Sequence, residues 1–167
     1  MMSSNQNDPE EPTPYREPPE LQGFHLLTHR TFWFDNRRPE AGFSIAGIYT
    51  HIEPPEGFSF PFRLDRVFVY FQLWGDPGIY RPRIRLVRVS ITDDDEEEEI
   101  HLGTDGEPRE FPMPPPHLVE ITGLNYVDEV AFPIGPVPFR EAGLYEFQLW
   151  ADGVGSPIAR ERVLARE

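Results

Sequence analysis

VFVYFQLWGDPG, Val67 to Gly78, and GLYEFQLWADGV, Gly143 to Val154, both carry FQLW followed one residue later by aspartate. In a strand, alternate side chains share a face. Val67, Val69, Phe71 and Leu73 therefore fall on one side, and Phe68, Tyr70, Gln72 and Trp74 on the other. In the second copy Tyr145, Phe147 and Leu149 take the apolar side, and Leu144, Glu146, Gln148 and Trp150 the opposite one. Asp76-Pro77-Gly78 and Asp152-Gly153 read as turns, because proline presets φ, glycine admits positive φ and aspartate caps through its side chain. The likeness reaches upstream to Pro61-Phe62-Arg63 and Pro138-Phe139-Arg140 and fades after the turns. It describes two strand-to-turn units of one fold, with no repeat of domain length.

Outward from these segments the same pattern continues. Aromatic and β-branched runs at Phe24–Phe34, Gly42–Ile52, Leu64–Trp74, Pro82–Thr92, Leu118–Phe132, Leu144–Trp150 and Ile158–Ala165 are separated by Pro, Gly, Asp and Asn clusters. The run at Leu118–Phe132 carries a break near Gly123, and IARERVLARE at the end also has a composition suited to a short helix. No stretch keeps a helical apolar stripe with caps over several turns. The expectation is an all-β chain, a two-layer immunoglobulin-like β-sandwich of about seven strands. Residues 1–20, rich in Pro and Glu with almost nothing apolar, read as a disordered tail, and 21–167 as one domain. The tail segment EPTPYREPP also suits a docking peptide of extended shape.

Composition narrows the function. Aspartate and glutamate number 29 against 15 basic residues, a formal charge of -14, which repels phosphate backbones and anionic lipid. Neither nucleic acid nor a membrane surface is expected as a partner. All basic residues counted there are arginine, and cysteine is absent, which removes lysine Schiff bases, thiol catalysis and thiolate metal sites. With no apolar run of roughly 20 residues and no leader pattern at the start, a cytoplasmic protein is expected.

Two surface features remain. Phe68, Tyr70, Gln72, Trp74, Gln148 and Trp150 face away from the inferred core, with Arg81, Arg83 and Arg85 on the next strand placed to stack over the aromatics. One reading covers these residues with arginine stems and neighbouring side chains. The other makes Phe68, Tyr70, Gln72, Trp74, Arg83, Arg85, Gln148 and Trp150 the contact surface for an unidentified protein partner. If the two FQLW strands pair side by side, Trp74 and Trp150 become neighbours. The second feature is the run Asp93-Asp94-Asp95-Glu96-Glu97-Glu98-Glu99, whose mutual repulsion predicts an extended, mobile loop. Its Asp93, Asp94, Asp95 and Glu96 are calcium candidates, although the run lacks the alternating ligands and glycine of an EF-hand loop.

Catalytic signatures are missing: no GxSxG elbow, P-loop, GxGxxG or HExxH occurs. His25 and His29 share a strand face, while His51, His101 and His117 are scattered. No catalytic residue and no cofactor is assigned. The favoured function is a non-enzymatic protein-binding or structural module. The alternatives are a calcium-dependent module using residues 93–99 and a hydrolase with an unrecognised carboxylate site.

Ile45-Ala46-Gly47-Ile48, Phe60-Pro61 and the segment Ala142-Gly143-Leu144-Tyr145-Glu146-Phe147-Gln148-Leu149 before an acidic-Gly turn carry a resemblance. With these motifs the chain, from about Phe24 to Ala165, resembles an uncharacterised family of small bacterial β-sandwich proteins. Ala142 stands where proline is common in that pattern. The resemblance implies the immunoglobulin-like fold and carries no activity or cofactor with it.

Overall fold

The structure, a computed structural model of the chain, describes residues 29–34, 43–75, 77–112, 119–121 and 128–167. The expected tail, His25, His117, Asp76 and the break near Gly123 lie outside the described residues.

Every regular element among the described residues is a strand, apart from one 3-10 turn at Thr104–Gly106. The first FQLW segment forms β5 (Val67–Leu73), whose burial follows its alternation: Val67, Val69, Phe71 and Leu73 are buried. It pairs antiparallel with β11 (Asp128–Ile134) on one side and with β1 (His29–Phe34) on the other, and β1 pairs with β2 (Phe43–Ile48). The second FQLW segment forms β13 (Gly143–Trp150), in a different sheet. That sheet runs β3 (His51–Ile52), β14 (Ala159–Ala165), β13, β7 (Arg83–Ile91), β8 (Glu97–His101), with β9 (Arg109–Pro112) on the rest of the β7 edge. All of its pairings are antiparallel except β3 with β14. Two short ribbons, β4 (Phe62–Leu64) with β12 (Val137–Phe139) and β6 (Gly78–Tyr80) with β10 (Val119–Ile121), complete the described strands.

One buried cluster joins both large sheets: Val67, Val69, Phe71 and Leu73 from the first share it with Ile84, Leu86, Tyr145, Phe147, Leu149 and Val163 from the second. Each such side chain contributes about 1.5–3 kcal/mol by leaving water. The ribbon of β4 and β12 adds Phe62 and Phe139, whose rings stack at 5.2 Å, and Phe139 meets the Tyr145 ring edge-on at 4.9 Å. The Tyr145 hydroxyl accepts from the Arg140 and Glu141 amides at 3.0 and 3.3 Å and donates to the Glu141 carbonyl at 2.9 Å. The ring thus ties the chain entering β13 to the core that β13 helps to build. Between β11 and β12, Gly135 has φ +156°, and a Cβ there would stand 2.2 Å from the Asp65 carbonyl oxygen. Only glycine fits that close approach of two backbones.

Several expectations change. The two FQLW strands do not pair, because β5 takes β11 and β1 as neighbours while β13 takes β7 and β14. The strand beside β13 is the next run along, Arg83–Ile91. The expected strand Gly42–Ile52 divides at Tyr49-Thr50, its first part in one sheet and its last two residues in the other. Leu118–Phe132 likewise contributes β10 to a ribbon and β11 to a large sheet. A periodicity read along the chain marks strands but carries no information on which sheet receives them. The final segment is a strand, with Val163 and Ala165 buried and Arg160, Arg162 and Leu164 on the opposite face.

Candidate interaction surface

Register places Arg83, Arg85, Val87, Val89 and Ile91 of β7 on the outer face of the β13 sheet, beside Leu144, Glu146, Gln148 and Trp150. From β14 the same face receives Arg160, Arg162 and Leu164, and from β8 it receives Glu97 and Glu99. An outer face is ordinarily wet, yet Glu146, Gln148 and Val87 are 0% exposed. The cover is made by the charged side chains around them.

Glu146 accepts from Arg160 Nη1 at 2.9 Å, from Arg162 Nε at 2.8 Å and from Gln148 Nε2 at 2.9 Å. Arg160 also reaches Glu99 at 3.0 Å, Gln148 donates to Glu99 at 2.8 Å, and Arg162 holds both Glu97 oxygens at 2.7 and 2.6 Å. Hydrogen bonds from Arg162 hold the Glu97 carboxyl below its ordinary range. These contacts pass over two intervening strands, since β8 and β14 are separated by β7 and β13. In a flat sheet that is about 14 Å across, with about 13 Å more along the strands, because Glu97 lies opposite Ile91 and Arg162 is level with Val87. An arginine and a glutamate together cannot bridge such a gap. The β7–β8 hairpin therefore leans over the outer face, as sheet coiling allows, and buries Val87, Glu146 and Gln148 beneath it.

This geometry corrects the expectation of an extended acidic loop. Asp93–Glu96 form a tight turn, with the Thr92 amide bonded to the Glu96 carbonyl at 2.8 Å and Asp95 at φ 60°. Glu97, Glu98 and Glu99 belong to β8. Strand pairing and the arginines of β14 outweigh the like-charge repulsion. Among the described residues no group of three or more His, Cys, Asp or Glu is placed to hold a metal ion.

Trp150 ends the network. Its indole N–H donates to Gln148 Oε1 at 3.1 Å, and the Arg85 guanidinium lies 4.2 Å from its ring centroid, with Arg83 at 6.0 Å. Arg85 is held in turn by Glu110 at 2.7 Å, and Arg83 by Asp152 at 3.0 Å. The Asp152 carboxylate thus holds an arginine where a turn cap was expected. Arg81 is exposed, and stacking over Trp150 falls to Arg83 and Arg85.

The candidates on β5 lie on a separate face. Pairing sets Phe68, Tyr70 and Gln72 opposite Pro133, Ala131 and Glu129 of β11, with Trp74 just beyond. Tyr70 Oη and Gln72 Nε2 both donate to Glu129 Oε1, at 3.0 and 2.8 Å. The eight candidate residues therefore divide between two sheets, and Gln148, fully buried, offers nothing for a partner to touch. Sequence reasoning missed Glu146, Arg160 and Arg162. Their signal was present as Arg160 and Arg162 alternating in a β-period run, but only the register puts Glu146 between them.

Burial, aided by the hydrogen bond to Glu129 and its charge, pushes the Tyr70 phenol up to about 12. A raised phenol pKa means the fold favours the neutral form, so this contribution holds below pH 10 and is lost as pH rises toward about 12. Alkaline absorbance titration of the wild type minus Tyr70→Phe should isolate a transition near pH 12. A difference transition near the ordinary tyrosine value would contradict the environment described.

Comparison with known protein families, curated proteins and solved structures finds no match. The family resemblance rests on its motifs alone. No helix among the described residues is long and apolar enough to cross a membrane.

Proposed function

We propose that the chain is an immunoglobulin-like β-sandwich that works as a non-enzymatic protein-binding module. The fold reading is supported by the sheet order β3-β14-β13-β7-β8, by the parallel pairing of the last strand with β3, and by the Tyr145 hydroxyl tied to backbone four and five residues upstream. The observation that carries the binding reading is the half-buried Trp150 ring held under Arg85 at 4.2 Å, both side chains already fixed by Gln148 and Glu110. Tryptophan and arginine dominate binding energy at protein interfaces, and side chains ordered before binding lose little entropy on contact. Leu164 and Ile91, 45% and 68% exposed, add apolar area on the same face. The charge of -14 favours encounter with a basic protein.

Affinity capture with wild type, Arg85→Ala, Trp150→Ala and the exposed control Ile79→Ser, in the β6–β10 ribbon, tests this surface. Both surface variants should weaken capture of a partner by about tenfold or more, and the control should leave it unchanged. Equal capture by folded Arg85→Ala and Trp150→Ala would remove the face as the contact surface.

A further inference from the structure

Beyond the β13 face, the described residues contain a second kind of site. Six arginines, Arg83, Arg85, Arg88, Arg160, Arg162 and Arg166, form ion pairs with carboxylates. Arg63, Arg66, Arg81, Arg109 and Arg140 form none among the described residues, although acids outnumber bases 29 to 15, and of these five Arg109 and Arg140 come together. Both line the same open hollow of about 540 Å³, together with His101, Thr104 and Asp105.

The fold brings these groups together at the point where β8 and β9 part along the β7 edge. His101 ends β8 and pairs with Val87, Arg109 starts β9 and pairs with Leu86, and the Gly103 amide bonds to the Glu107 carbonyl at 2.8 Å to close the intervening loop. Arg140 arrives from the connection before β13 and is steadied by donating to the Leu102 carbonyl at 2.9 Å. His101 is fixed by a 3.0 Å bond from Nδ1–H to the Gly106 carbonyl. The Arg109 guanidinium lies over the Phe111 ring at 5.1 Å, and its Nε is closed off from solvent without a hydrogen-bond partner. The Phe111 ring thus packs against a guanidinium that lines the hollow.

We infer that this hollow binds a compact oxyanion, a phosphate or carboxylate group of a small molecule, between Arg109 and Arg140. Guanidinium forks match such groups in geometry, and the charge-assisted bonds they form are about twice as strong as neutral ones. Among the described residues, Asp105 is the one carboxylate lining the hollow. It sits at the exposed turn and limits the site to small anions of modest affinity.

Nitrogen-15 spectra that resolve arginine Nε–H signals test this in the full chain. Titration with inorganic phosphate, acetate and, at matched ionic strength, chloride should move the Arg109 signal saturably with phosphate or acetate, and the stronger of the two identifies the source. Arg140→Gln, at an exposed position, should weaken that response about tenfold, and Arg109→Gln should weaken the matching shift of the Arg140 Nε–H signal to the same degree. A shift that follows ionic strength alone, equal for chloride, would overturn the inference whatever the variants do. So would a saturable response that folded Arg140→Gln and Arg109→Gln both retain.

Discussion

Replacing Arg160 and Arg162 together by alanine should lower the unfolding free energy by about 3–5 kcal/mol, the cost of stranding a buried charge. The cost falls on Glu146, which is 0% exposed and accepts from both guanidiniums. Without them its carboxylate keeps only the Gln148 amide. Adding Glu146→Leu to the double variant should restore most of the loss, because an apolar side chain of similar size needs no partner at that position. Urea unfolding followed by circular dichroism measures both. A double variant within about 1 kcal/mol of wild type would show that the network stabilises no more than exposed ion pairs do. A triple variant as unstable as the double would place the loss on the arginine stems that cover the face.

Tyr145→Phe should cost about 1.5–3 kcal/mol, although it leaves the buried ring in place. The hydroxyl serves two amides and one carbonyl of Arg140 and Glu141, and its loss leaves those groups to water or to no partner. The expected signature is a lower denaturant midpoint at an unchanged slope, since the surface exposed on unfolding stays the same. A loss below about 0.5 kcal/mol would mean the turn is held by its other contacts. The comparison is informative because Phe139 packs against the same ring at 4.9 Å and is untouched.

The all-β class and part of the strand alternation were legible along the chain. In Val67–Leu73 the period of two separates buried Val67, Val69, Phe71 and Leu73 from Phe68 and Gln72, and the burial follows it, with Tyr70 the exception. In Gly143–Trp150 it fails: Tyr145 through Leu149 are buried without interruption. The outer side of β13 is closed by Glu97, Glu99, Arg160 and Arg162, of which Glu99 lies 49 positions from the Gln148 it meets. An acidic run and an arginine run each read singly as solvated charge. Their meeting over Gln148 follows from the lean of one hairpin, which no local pattern encodes.

The candidate surface shows the same division. Trp150, Arg83 and Arg85 were found from alternation and adjacency, and they do stack. Phe68, Tyr70, Gln72 and Trp74 were grouped with them because the two FQLW strands looked like partners, and they belong to another sheet.

The sequence by itself determined the all-β class and the inward set of β5, because these depend on side-chain alternation within a few residues. Tertiary structure alone decided which strands pair, that the acidic run closes down on β14, and that Arg109 and Arg140 share a hollow. Pairing joins residues far apart in the chain, and its energy comes from burial and register that exist only once the sheets have formed.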